Sequence, residues 1–395
     1  MKKILSVFLG ALCAFSICTT TSKVPAFAES TSVQSEKTTE NLQLSAKSAY
    51  LMDYSTTTPI YAKGEKTRLP IASMCKIMTL ILAFEAVDNG VMTYDEEITI
   101  SERAASMGGS QVFLEANAKY PVKELIKSII VCSANDSCVA LAEKIAGSEE
   151  VFVQRMNDKA KSLGANDTLF ANCTGLPKEP QYSCAKDVAY MLKELLTHEE
   201  YFTYGKVWMD KFMHPQGRYT EITNTNKLVR FYDGCDGGKT GFTNQAGFCL
   251  AATAKRGNLR VISVVIGEEN SKTRFNDVRT TFDYAFANYC ATPIVEAEKT
   301  LDKTIAVCGG KQKTVKVYPK RSAYTFQRRG EVSHSQTEVY CDNLRAPISA
   351  GQQVGYIVVY TNNVEVDRIP LLAKTDVKEA DFFDRLKDVA NGWNG

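Results

Sequence analysis

Pro70-Ile71-Ala72-Ser73-Met74-Cys75-Lys76-Ile77-Met78-Thr79-Leu80-Ile81-Leu82-Ala83-Phe84 is an apolar run with a polar mouth. Met74, Ile77, Met78, Ile81, Leu82 and Phe84 recur at intervals of three and four, which predicts a buried helix ending near Gly90. Ser73, close behind Pro70, is its expected N-cap. A spacing of three puts the Ser73 hydroxyl and the Lys76 amine on one helix face. A serine hydroxyl is a poor nucleophile until a base takes its proton. A lysine can be that base when burial and neighbouring positive charge lower its pKa. Alone, Ser-x-x-Lys is common, and a capping serine beside an exposed lysine is its ordinary meaning, so the chemistry needs partners from elsewhere in the chain.

Working outward, Ala49 to Tyr54 reads as a strand, Ser55 to Pro59 as a turn and Ile60-Tyr61 as the return strand. Val122 to Ile145 reads as two helices interrupted around Ser133 to Asp136, and Cys184 to Leu196 as an amphipathic helix. Gly237 to Thr253 is an expected hairpin turning at Thr243-Asn244-Gln245, followed by a strand from Arg260 to Ile266 and a helix from Asp277 to Tyr289. Two polar triplets fall in this frame. Ser133-Ala134-Asn135 sits at the helix break, where the hydroxyl could relay a proton and the amide could meet a substrate carbonyl; a polar helix cap is the plainer meaning. Lys239-Thr240-Gly241 sits on a strand taken to be an exposed edge, where the lysine and threonine could meet a free carboxylate and the glycine lets a substrate backbone approach. Gly238-Lys239-Thr240 also mimics the end of a phosphate-binding loop, but Asp233 stands where that loop needs glycine, and a strand rather than a helix follows.

The 395 residues carry 47 Lys and Arg against 45 Asp and Glu, so no surplus of positive charge is available for a nucleic-acid backbone. With 44% hydrophobic and 23% charged residues, the chain is neither disordered nor a multi-span membrane protein. Three scattered histidines, His198, His214 and His334, are poor stock for a metal cage or a histidine-based triad. The N-terminus has a basic start, an apolar run from Ile4 to Ile17 and the small-residue site Ala26-Phe27-Ala28, which together read as a secretory signal over residues 1–28. The run is shorter than the roughly 20 residues a span needs, although a short anchor that stays attached is the other reading. Cys18 hints at a lipoprotein, but Ile17 is bulky for that signal. Cleavage after Ala28 leaves 44 basic against 45 acidic residues and ten cysteines, expected mostly as buried thiols, although an oxidising compartment permits disulfides.

Residues 29–46, rich in Ser, Thr, Glu and Gln, are expected to be a flexible leader, and 47–291 a domain of mixed helices and strands. After Ala291 the texture turns to short strands (Thr304 to Val307, Thr314 to Val317, Tyr356 to Tyr360 and Val364 to Leu371), an all-β module over 292–375. In the tail, 376–395, Phe382, Leu386, Val389 and Trp393 share one helical face flanked by Asp381, Asp384 and Asp388. That face could rest on a membrane surface, but the acids oppose anionic lipid, and packing on its own domain is the favoured reading.

Each triplet is common, but the ordered set Ser-x-x-Lys, Ser-x-Asn, Lys-Thr-Gly is not, and 60 then 106 residues separate its parts. On these motifs the chain resembles the serine-type D-alanyl-D-alanine carboxypeptidases, the low-molecular-mass penicillin-binding proteins. So do Arg68 to Ser73, Gln181 to Asp187, Asn224 to Leu228 and Gly237 to Thr243. The resemblance implies an α/β (α+β) β-lactamase/transpeptidase-like catalytic domain followed by a small all-β C-terminal domain. It implies that Ser73 attacks the carbonyl between two D-alanines of a peptidoglycan stem peptide and that Lys76 takes its proton. Ser133 and Lys239 would pass the proton to the departing D-alanine, and Asn135 would orient the peptide. The backbone N–H groups of Ser73 and Phe242 would form the oxyanion hole, with Gly241 beside them, and Lys239, Thr240 and Arg274 would hold the terminal carboxylate. It implies no cofactor, β-lactam antibiotics as inhibitors, and work outside the cytoplasmic membrane. Cys75 stands where the family often has Thr, and Phe242 where some members have His. Two alternatives stand beside this reading. A class A-like β-lactamase needs a deacylating Glu near Leu169-Phe170, but none is there and Glu179 is displaced. A non-catalytic cell-wall-binding protein would be expected to have lost Ser73 or Lys76.

Overall fold

The computed structural model describes residues 42–331, 334–341, 343–361 and 363–392. The expected signal segment and most of the expected leader lie outside them, as does Trp393.

A five-stranded antiparallel sheet organises the catalytic part. Its order is Pro59–Lys63, Ser48–Asp53, Leu259–Glu268, Gly247–Arg256 and Cys235–Thr243. Alternation along Ser48–Asp53 shows why both faces are covered. Ala49 and Leu51 join one core with Leu250, Val265, Val278 and Phe282, while Tyr50 and Met52 join another with Ile77, Ile81, Ala251 and Val264. Helix Ser271–Asn288 packs on the first face. On the second lies the predominantly helical half, built around Lys76–Asp88, a helix with Ile77, Met78, Leu80, Ile81, Ala83 and Phe84 all buried. A helix apolar on all sides has to be central.

The two helices expected between Val122 and Ile145 are Val122–Cys132 and Asn135–Ala146. The break is shorter than expected: Ser133 and Ala134 alone separate them, with Ser133 left-handed at φ 67°. The end of the leader also departs from expectation, because Leu44 and Ala46 are buried. The Ser45 backbone N–H donates to Asp277 Oδ2 at 2.7 Å, and its hydroxyl donates to Glu268 Oε2 at 2.7 Å. A polar composition suggested flexibility, but two buried carboxylates tie this end of the segment down.

The β-rich part contains a six-stranded sheet in the order Ser335–Cys341, Gln353–Thr361, Val364–Ala373, Thr314–Pro319, Thr304–Cys308 and Leu344–Arg345. The pair Tyr289–Val295 and Ala323–Arg328 sends Val295 and Ala323 into the same core as Val317, Val359, Ile369 and Leu371. Phe326 stacks on Tyr289 at 4.9 Å, and Arg329 donates to the carbonyls of Asn288 and Phe286, which joins the two parts. The tail is helical over Phe382–Gly392, but Phe382 and Leu386, the described part of the face expected to pack, are exposed, as is Phe383. No described helix is long and apolar enough to cross a membrane. All ten cysteines from Cys75 to Cys341 are free thiols, six of them buried.

Candidate active site

Ser73 does not cap the long helix. It lies inside a 3-10 turn, Ala72–Cys75, that feeds into the helix, and no side chain caps that turn. Ala72 is left-handed at φ 49°, an uncommon state for a residue with a Cβ and one that costs on the order of 1–3 kcal/mol. The same-face expectation holds: Lys76 Nζ donates to Ser73 Oγ at 2.9 Å and to the Thr174 carbonyl at 2.5 Å.

Lys76 is fully buried, and burial lowers its pKa. Its surroundings are thiols, and burial pushes Cys132 and Cys138 up to about 12, so they stay neutral. Among the described residues no carboxylate forms an ion pair with Lys76. A buried amine with no counter-ion is held toward its neutral, basic form.

Lys239 lies on a sheet edge as expected, but it is not exposed: 2% of it is accessible. Burial, and then the charge of Lys76, drive its pKa well down, so the two amines share one low-dielectric pocket. Gly241 explains the approach. A Cβ there would lie 2.5 Å from the Ile71 carbonyl oxygen and 3.4 Å from the Met74 nitrogen, so only glycine lets this strand lie along the Ser73 turn. Alternation places Lys239 on the same side as Gly241. Thr240 Oγ1 donates to Thr225 Oγ1 at 2.8 Å.

Ser133 and Asn135 are nearly inaccessible, and Ser133 Oγ and Asn135 Oδ1 find no partner among the described residues. Asn135 is aimed by its other atoms: Nδ2 donates to the Gly108 carbonyl at 2.7 Å, and the backbone N–H to the Ser110 carbonyl at 2.7 Å. Unpaired buried polar atoms call for an explanation, and a bound polar ligand is one. Arg274 donates from Nη1 to the Gly241 carbonyl at 3.2 Å and the Cys249 carbonyl at 3.4 Å. Burial lowers its pKa to about 10, so it is still a cation at neutral pH, and its Nε has no partner. Phe242 is half exposed and packs on Phe248 at 4.2 Å.

The segment 172–176 belongs to this site but carries no motif. Asn172 Oδ1 accepts from the Thr174 N–H at 3.1 Å and the Gly175 N–H at 2.7 Å, and Nδ2 donates to the Leu176 carbonyl at 2.8 Å. This knot fixes the Thr174 carbonyl that receives Lys76. Thr79 Oγ1 and Cys75 Sγ donate to the carbonyls of Cys173 and Asn172, so the segment rests directly on the Ser73 turn and the helix that follows it. Gly175, at φ 80°, would put a Cβ 2.0 Å from the Ala72 carbonyl oxygen. The sequence signal was the Asn-x-x-Gly turn composition of residues 172–175. Thr225 fell in a stretch noted only for its family likeness. Glu179 is exposed at the rim of a small crevice with Ala72, Gly175 and Gln181.

Comparison with known proteins places both parts of the chain. Residues 34–270 match the family described as D-alanyl-D-alanine carboxypeptidase, and residues 289–379 match the C-terminal domain of penicillin-binding protein 5. The chain is 40% identical over 395 residues to the D-alanyl-D-alanine carboxypeptidase DacF of Bacillus subtilis (strain 168), covering 100% of this chain and 99% of that one. The crystal structure of a peptidoglycan synthesis regulatory factor (PBP3) from Streptococcus pneumoniae superposes with a TM-score of 0.69 at 27% identity, covering 85% of this chain and 100% of the other. Penicillin-binding protein D2 from Listeria monocytogenes, in its ampicillin-bound form, gives 0.56 at 30% identity over 62% of this chain and 99% of its own. The two-part fold and the Ser73–Lys76 pair thus lie within a match that spans both halves, and the chain belongs to the D-alanyl-D-alanine carboxypeptidase family.

Proposed function

We propose that the protein removes the terminal D-alanine from peptidoglycan stem peptides ending in D-Ala-D-Ala, which limits cross-linking, and that β-lactams acylate the same serine. The observation that carries this reading is Lys76 Nζ at 2.9 Å from Ser73 Oγ, with no carboxylate paired to the amine among the described residues. Lys76 takes the Ser73 proton as Oγ bonds to the carbonyl carbon between the D-alanines. The backbone N–H groups of Ser73 and Phe242 receive the oxyanion; losing one such donor typically costs about 10²–10³ in rate. Ser133, with its free hydroxyl, and Lys239 pass a proton to the departing amine as the C–N bond breaks. Asn135 holds the donor peptide, Gly241 lets it lie against the strand, and Lys239, Thr240 and Arg274 read the terminal carboxylate. That cluster of cations favours removal of a last residue over a cut in mid-chain. Water then releases the acyl-enzyme. The glutamate a class A β-lactamase uses to speed that step has no counterpart near Leu169-Phe170, which favours slow release of a penicillin.

The substrate lies outside the cytoplasmic membrane, in keeping with the export signal read from residues 1–28, and the exposed apolar side of the tail supports a peripheral membrane contact there. The test is mass spectrometry of the mature chain with penicillin. A stable adduct is expected, absent in Ser73→Ala; a folded protein that forms no adduct would overturn the mechanism.

A further inference from the structure

Asp136 is fully buried, and the reaction described above gives its carboxylate no part. It lies in the first turn of helix Asn135–Ala146, next to Asn135. Among the described residues, every hydrogen bond it accepts comes from a backbone N–H, and no cation pairs with it. Ser137 donates to Oδ1 at 2.9 Å, which the start of a helix explains by itself. The other donors do not belong to the helix. Val112 donates to Oδ2 at 3.1 Å and Leu114 to the same oxygen at 3.2 Å, from a loop 22 to 24 residues earlier in the chain. The carboxylate is the anion in a cradle of loop amides. Phe113, between the two donors, is left-handed at φ 65°, a strain of about 1–3 kcal/mol that the surrounding contacts must hold. The loop's carbonyls are held from the other side, by Thr220 Oγ1 on Val112 at 3.2 Å and by Arg218 Nη2 on Phe113 at 3.0 Å. This same loop aims Asn135. The Gly108 and Ser110 carbonyls take the Asn135 Nδ2 and backbone N–H, and a Cβ on Gly109 would lie 2.8 Å from Nδ2. With Nδ2 occupied, Oδ1 is the free end of the amide, and an oxygen there accepts an N–H.

We propose that Asp136 is a positioning residue for peptide hydrolysis: by anchoring the Val112 and Leu114 N–H groups it holds loop 108–114 on the helix, so that Gly108 and Ser110 keep the Asn135 amide turned with Oδ1 free to accept an N–H of the donor peptide. This rests on the catalytic reading above and adds the polarity of the Asn135 contact to it. Asp136→Asn keeps the volume but sets an NH₂ where a carboxylate oxygen met N–H groups, so donors face donors and the loop loses its anchor.

The test is steady-state hydrolysis of a D-Ala-D-Ala peptide by the mature chain, by Asp136→Asn, by Asn135→Ala and by the double variant, each checked for folding by its melting curve. Asp136→Asn should lower kcat/KM about 100-fold, since a displacement of about 1 Å can cost that much. Asn135→Ala should also be impaired. In that background Asp136→Asn should cost no more than about threefold, because the amide it aims is gone. A general loosening of the fold would instead multiply through both backgrounds. A larger further loss in the double variant, an unimpaired Asp136→Asn or Asn135→Ala, or an Asp136→Asn chain that does not fold would overturn the proposal, the last by making the carboxylate a purely structural group. A wild-type chain that leaves the peptide intact would sink the catalytic reading and this one with it, so the two failures are told apart.

Discussion

At the scale of single residues, the site is a conflict between burial and charge. In the proposed mechanism Lys76 must be neutral to take the Ser73 proton, and burial lowers its pKa from 10.5. The rate of penicillin acylation should therefore rise with pH and level off below 10.5; a profile still climbing at that pH would show an ordinary, solvated amine. Lys239 carries a related cost. Its folded pKa lies well below the unfolded value of 10.5, so between those two pKa values the unfolded chain binds more protons, and stability rises with pH there. The penalty is full below the folded pKa, shrinks as pH rises through it and is gone above 10.5. Lys239→Met should raise the melting temperature at neutral pH by the equivalent of about 1–4 kcal/mol, lose that gain in strong alkali and abolish carboxypeptidase activity. An unchanged or lowered melting temperature at neutral pH would refute the cost. Ser73 and Lys76 were legible because three residues of one turn bring them together. The burial of Lys239 was not, since an edge strand looks exposed until the Ser73 turn is laid along it.

At the scale of elements, the site is a turn clamped between a strand and an irregular segment. Gly241 seats the strand against Ile71, and Gly175 seats the segment against Ala72. Gly175→Ala would need a left-handed alanine, costing about 1–2 kcal/mol, and would also drive a Cβ into backbone that cannot move aside. A displacement of about 1 Å at the nucleophile can cost 10² in rate, so acylation should fall about 100-fold with a clear loss of melting temperature. Gly164→Ala is the control. It shares a positive φ, at 73°, but has open space around it, so it should cost only the conformational penalty and leave acylation intact. Equal rates in the two variants would remove the clamp from the mechanism. Periodicity found the long helix and the hairpin, because their cores repeat locally. It could not find the grip of segment 172–176 on Lys76, a contact across 98 residues made by carbonyl groups every residue possesses. It also missed Tyr289–Val295, which contains Pro293, and Ser335–Cys341, which has no buried residue to mark a face.

At the scale of the whole molecule, the β-rich part has its own core, and the tail beyond it ends in an unburied apolar face. Phe382 and Phe383 are 72% and 78% exposed, and Leu386 57%. Burying side chains of this kind gains about 1.5–3 kcal/mol each, enough for reversible attachment to a bilayer surface. The acidic residues beside them do not decide against it: Asp381 and Asp384 lie 2.9 and 3.2 Å from Lys311, which offsets part of their repulsion from anionic lipid. Attachment through phenyl and leucyl groups should therefore be nearly independent of salt, whereas attachment through lysines would weaken as salt screens it. The mature chain should sediment with zwitterionic and anionic vesicles alike, and deletion of residues 376–395 should release it while leaving penicillin acylation unchanged. Phe382→Ser with Phe383→Ser should do most of what the deletion does. Partition that survives the deletion would move the membrane contact elsewhere on the surface. Partition lost in moderate salt would make it electrostatic, and the apolar face would then need a different partner.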